Sequence, residues 1–96
     1  MADVDAIIER LRELNPVIEE RWGARIIGLF GSVARGDDTP DSDIDLLYEL
    51  DHPLGFGFMR MADFLEEKLE RRVDLISAEY ISPWLKKAIS NEVRDV

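Results

Sequence analysis

Residues 43–50 read Asp-Ile-Asp-Leu-Leu-Tyr-Glu-Leu, and no other stretch constrains the fold as tightly. As a strand, the segment sends alternate side chains to opposite faces. Asp43 and Asp45 then leave one face about 7 Å apart along the strand, while Ile44 enters the core behind them. Two carboxylates on one face repel unless a positive charge lies between them, and the segment itself contains no basic residue. A divalent cation is the natural counter-charge. The chain has no cysteine and one histidine, His52, set before Pro53 in a predicted turn. Oxygen-only ligands favour magnesium or manganese over zinc, and disulfides, thiolate sites and cysteine nucleophiles are excluded.

The rest of the chain supplies partners for such a strand. Val4, Ile7, Ile8, Leu11 and Leu14 recur on one helical face, with Asp3 or Asp5 at its start. At Asn15-Pro16 the pattern predicts a break, with Asn as N-cap and Pro at the first position of a short second helix carrying Val17, Ile18 and Trp22 to Gly23; the alternative is one kinked helix. Arg25 to Phe30 reads as a buried strand that stops at Gly31-Ser32, followed by a short helix through Val33 to Arg35. Gly36 to Asp41 is rich in turn formers and reads as an exposed loop. Beyond Gly55 and Gly57, a helix uses Met59, Ala62, Phe64, Leu65 and Leu69 for apolar contacts. Arg72 to Ile76 reads as a third strand. Ser77 or Ser82 caps a last helix in which Trp84, Leu85, Ala88 and Ile89 pack inward and Lys86 and Lys87 point out; Trp22, Phe64 and Trp84 are assigned to the core. The expectation is an α/β (α+β) fold, a small mixed β-sheet flanked by helices, forming a single domain over residues 1–96.

Asp74 lies between Val73 and Leu75, where a carboxylate in an apolar strand asks for a reason. If the second and third strands are neighbours, Asp43, Asp45 and Asp74 converge and can hold a pair of cations suited to in-line phosphoryl or nucleotidyl displacement. A solvated strand edge is the plainer reading of Asp74. Gly31-Ser32, at a strand-to-helix junction, offers backbone N–H groups and close approach to an anion, and Ser32 adds a hydroxyl. Arg35, one turn on, either contacts phosphate or pins the acidic loop by pairing with Asp37 or Asp41, and pinning is favoured. Ser32 lacks the Gly-x-Ser-x-Gly elbow and a histidine partner, so it does not read as a hydrolase nucleophile.

Charge narrows the partners. With 21 acidic and 12 basic side chains, the net charge of -9 repels a phosphate backbone, so no direct nucleic-acid ligand is expected and a basic protein partner is favoured. No apolar run has the length of a membrane span and no export signal is visible, which places the expected location in the cytoplasm.

Gly31-Ser32-Val33-Ala34-Arg35-Gly36 followed by Asp41-Ser42-Asp43-Ile44-Asp45-Leu46 resembles the signature of the polymerase-beta-like nucleotidyltransferase superfamily. The likeness spans nearly the whole chain and is greatest to the minimal nucleotidyltransferases (MNT) paired with HEPN proteins in prokaryotic toxin–antitoxin systems. It implies a Gly31-Ser32 pair holding the triphosphate of ATP, with Arg35 nearby. It also implies two magnesium ions on Asp43, Asp45 and Asp74, AMP transfer to a tyrosine of a HEPN toxin, and a hetero-oligomer with that toxin. Larger superfamily members add helical domains that grip the base or acceptor, and none is present in this sequence. Two other readings stay open: a non-catalytic antitoxin that masks a basic toxin by binding, and nucleotidyl transfer to a small molecule.

Overall fold

The computed structural model describes residues 3–55 and 57–96. Helix α1 spans Val4–Trp22; its N-cap Asp3 accepts a hydrogen bond from the Ala6 N–H, and Gly23 ends it in the left-handed conformation at φ 62°. One continuous helix runs through Asn15-Pro16, as in the alternative of a single helix, and the expected break into two is corrected. Pro16 removes one helical N–H, a cost of about 3 kcal/mol in a helix interior. That cost is offset by the face of Ile8, Leu11, Leu14 and Ile18 buried on either side of it. Asn15 is no cap. It is buried, and its side-chain amide brackets Ile26 of the first strand, donating to the Ile26 carbonyl at 3.0 Å and accepting from the Ile26 N–H at 2.9 Å.

Strand β1 (Ala24–Phe30) leads into α2 (Gly31–Arg35), then β2 (Ile44–Leu50), α3 (Gly57–Leu69), β3 (Val73–Ser77), α4 (Pro83–Ile89) and the short β4 (Arg94–Asp95). The sheet order is β3-β2-β1-β4. β1 is antiparallel to both β2 and β4, and β2 is parallel to β3 through the α3 crossover. The mixed sheet flanked by helices is the expected architecture. A bulge between Ile26 and Gly28 re-phases β1, so that Ile26 and Leu29 both face the main core.

That core lies on one face of the sheet, where Ile26, Leu29, Ile44, Leu46 and Tyr48 meet α1 and the Met61 and Leu65 side chains of α3. On the opposite face, Phe30, Leu47 and Ile89 form a smaller cluster under α4, joined by Ile27, Ile76, Leu85 and Val93. α4 covers only part of this second face, and the uncovered part carries the acidic residues. Several side chains depart from expectation. Met59 is 66% exposed and Met61 takes the buried place in α3, while Trp84 is 77% exposed and Ala88 also faces out, so α4 buries Ile89 and partly Leu85. α4 is only seven residues long, and its single inward stripe leaves Trp84 no surface to cover. Trp22 and Phe64 do pack against the core, with ring centroids 5.4 Å apart. Of the two serines considered, Ser82 caps α4 by accepting from the Leu85 N–H.

Candidate active site

The second sheet face is built from the pairing of β2 with β3. Asp45 stands directly opposite Asp74 in the parallel register, and opposite Phe30 across β1. Parallel neighbours in register point their side chains the same way, so Asp45 and Asp74 share a face at the strand spacing of about 4.8 Å. The neighbourhood of strands on which the convergence of carboxylates depended is therefore present. Asp43 falls one residue before the strand, which begins at Ile44, and is exposed, as is Asp74; Asp45 is half-buried.

Gly31 explains why Asp45 can sit so deep. β1 turns into α2 at Gly31 with φ 79°, a left-handed conformation that disfavours any side chain. A Cβ placed there would fall on the Asp45 Oδ2 atom. The missing side chain is thus the space that the Asp45 carboxylate fills, and it brings Gly31 and Asp45 into direct contact. α2 starts at Gly31 itself, two residues before the expected helix, and Phe30 at the cap position gives no side-chain acceptor to its first N–H groups. With five residues, α2 has a small dipole, so the close backbone approach counts for more here than the helix field.

Burial first, then the negative charges of Asp74 and Asp43, push the Asp45 carboxyl up to about 6 from its ordinary 3.8, while Arg35 pulls against them. A carboxylate whose own site opposes its ionisation is one that gains from a nearby cation. The donor set is oxygen only, as hard divalent cations require. Among the described residues, no three acidic or histidine side chains are already gathered tightly enough to enclose an ion. Asp43 leans instead toward Arg72, with Oδ1 and Nε 3.9 Å apart. A basic residue absent from the Asp43–Leu50 segment thus arrives from the neighbouring strand edge. Reaching a shared ion takes a side-chain rotation of exposed Asp43 away from it, which an exposed 3.9 Å pair opposes only weakly. The residues present fit a divalent cation held by Asp45 and Asp74, with Asp43 at the open side.

Arg35 pins the acidic loop, as favoured. It pairs with Asp37 at 3.2 Å and, more closely, with Glu92 at 2.6 Å, and not with Asp41. Glu92 lies past α4, and sequence spacing gave no hint of it. The loop itself is only partly exposed. Asp38 is buried and paired with Arg71 at 3.2 Å, which corrects the reading of residues 36–41 as a wholly solvated turn. Lys86 and Lys87 stay on the exposed face of α4. No described helix is long and apolar enough to cross a membrane.

A glycine turn touching a strand carboxylate, with a second carboxylate in register beside it, is set here in a nucleotidyltransferase fold. The model of the Nucleotidyltransferase domain family matches residues 4–96, and the chain belongs to that family. A Methanocaldococcus jannaschii protein, provisionally named a protein adenylyltransferase, is 34% identical over 97% of both chains. Protein adenylyltransferase MntA of Thermococcus cleftensis is 36% identical over 79% of this chain and 78% of its own. Among solved structures, one provisionally described as a minimal nucleotidyltransferase superposes with a TM-score of 0.76 at 30% identity, covering 99% of this chain and 97% of that one. A toxin–antitoxin structure with AMP-PNP gives a TM-score of 0.68 at 25% identity, covering 98% and 72%.

Proposed function

We propose that residues 1–96 act as one minimal nucleotidyltransferase domain that moves AMP from ATP to a hydroxyl, a tyrosine, of a HEPN-type toxin, and so serves as its antitoxin in the cytoplasm. The observation that carries this reading is the contact of Gly31 with Asp45 while Asp45 faces Asp74, because it puts an anion-accepting backbone turn beside a cation-accepting pair. Support for a protein acceptor comes from relatives named protein adenylyltransferases and from the toxin–antitoxin structure with AMP-PNP.

Each residue has a part in that reaction. Gly31 and Ser32 receive the triphosphate through backbone N–H groups and the Ser32 hydroxyl. Asp43, Asp45 and Asp74 would hold magnesium, two ions with manganese as a substitute, supplying positive charge to the triphosphate and to the attacking oxygen. The acceptor oxygen forms a bond to the α-phosphorus, the bond to the bridging oxygen breaks and pyrophosphate leaves. Asp74, exposed like Asp43, takes the acceptor's proton. Arg35 orders the loop through Asp37 and Glu92, within range of Asp45, whose carboxyl it favours in the ionised form.

The test is mass spectrometry of the candidate HEPN partner after incubation with ATP and magnesium. A gain of about 329 Da per transferred AMP is expected with the parent chain and none with Asp43→Asn/Asp45→Asn. Transfer retained by the double variant refutes the assignment. A second reading, masking of a basic partner, is favoured by the net charge of -9 and by the exposed Tyr80 and Trp84. Stable complexes without any mass gain would select it, and transfer to a free small molecule in place of the protein would select the third reading.

A further inference from the structure

Asp43 lies outside the strand ladder, yet its backbone is held on both sides by consecutive residues of the α3–β3 turn. On its N-terminal side the Arg71 Nε donates to the Ser42 carbonyl at 3.0 Å, and on its C-terminal side the Ile44 N–H donates to the Arg72 carbonyl at 2.9 Å. The same Arg71 guanidinium donates to the Thr39 carbonyl at 2.6 Å and pairs with the Asp38 carboxylate at 3.2 Å. It therefore spans the 38–42 loop and anchors it to the turn that feeds Asp74 into β3. The Arg71 side chain is only 19% exposed and that of Asp38 only 1%, so the contacts to Asp38 and Ser42 are partly shielded and of the stronger, charge-assisted kind, while that to Thr39 is exposed. The turn is itself held in place: Glu70 adopts φ 55°, Arg71 N–H bonds the Glu66 carbonyl at 3.3 Å, and the Glu66 carboxylate accepts from the Val73 N–H at 3.0 Å.

We propose that Arg71 is the positioning residue that sets Asp43 against Asp45 and Asp74, clamping the loop before β2 to the start of β3. The assignment rests on the reading of the three aspartates as a cation site. A lysine in its place keeps the charge but not the planar fork, and its single nitrogen cannot stand at both the Nε position facing Ser42 and the Nη2 position facing Asp38 and Thr39. Loosening the clamp frees Asp43 to swing out of register with the other two, so cation affinity falls while the nucleotide's contacts with Gly31-Ser32 remain.

The experiment measures Mn2+ binding by the electron paramagnetic resonance of the free ion, using the full chain with a nonhydrolysable ATP analogue. Binding of the analogue without metal is measured in parallel. Parent, Arg71→Lys and Arg71→Met are compared, with Arg10→Met, at an exposed ion pair with Glu13, as control. Outer contacts that orient metal ligands are worth about 10–100-fold in affinity, so Arg71→Lys should bind Mn2+ at least about 10-fold more weakly. Its metal-free binding of the analogue and its cooperative unfolding should be retained. Unchanged Mn2+ affinity in folded Arg71→Lys overturns the assignment. Loss of cooperative folding in both Arg71 variants also overturns it, because Arg71 is then a residue of the fold alone. A parent chain that binds no Mn2+ removes both this assignment and the reading beneath it.

Discussion

Replacing Asp45 by Asn removes the carboxylate that the site most resists charging, while keeping its size and shape. In the folded chain the Asp45 carboxyl titrates at about 6 instead of 3.8, because of burial first and the charges of Asp74 and Asp43 second. A raised carboxylate favours the folded state below its unfolded value, and that advantage is lost as pH climbs through the folded value. Above pH ~6 the ionised Asp45 therefore works against folding by at most about 3 kcal/mol. The site is open on the Asp43 side and solvent screens part of this, so about 1–2 kcal/mol is the expected share. For a domain of this size each kcal/mol moves the midpoint by roughly 4–8 °C. In chelator at pH 7.5, Asp45→Asn should thus melt at least about 4 °C above the parent, and the gap should close below pH ~4, where both side chains are neutral. Magnesium with an ATP analogue should reverse the order, since ligand binding stabilises only the chain that can hold it. Thermal unfolding followed by circular dichroism, with and without chelator, reads all of these conditions. If Asp45→Asn is no more stable than the parent in chelator at pH 7.5, the argument from crowded, desolvated carboxylates fails.

Gly31→Ala should lose stability by at least about 1–2 kcal/mol from the left-handed backbone alone, and calorimetric titration should show loss of the ATP analogue as the new Cβ displaces Asp45. Asn15→Leu leaves both polar backbone groups of Ile26 without their partner and should cost about 2–4 kcal/mol in urea unfolding; a cost under about 1 kcal/mol would mean that water replaces the amide. Trp84→Ala should stay within about 0.5 kcal/mol of the parent by the same measurement, and its loss should remove the more solvent-exposed part of the tryptophan fluorescence.

Much of the fold could be read from periodicity. The first three strands, the flanking helices and the loop after Arg35 appear within a residue or two of their expected places, because amphipathic repeats report the face each segment must bury. Asn15-Pro16 misled for a definite reason: a local rule makes Asn a cap, but a strand 11 residues later uses its amide as a surrogate ladder partner. Trp84 misled because size suggests burial, whereas a seven-residue helix on a small sheet has only one covered stripe.

For the site, the division follows the range of the interactions. The one-residue spacing of Asp43 and Asp45 in an extended segment suggests a common side, and the glycine-serine junction marks an anion turn, since both can be read from covalent spacing, although β2 itself begins only at Ile44. Whether Asp74 joins them depends on which strand lies next to β2 and in which register, and that is decided by the α3 crossover and the packing of both sheet faces. The same packing brings Arg72 to Asp43, Glu92 to Arg35 and Arg71 to the 38–42 loop. Charges so far apart in the chain become neighbours only after the core has closed, so only the tertiary structure could reveal them.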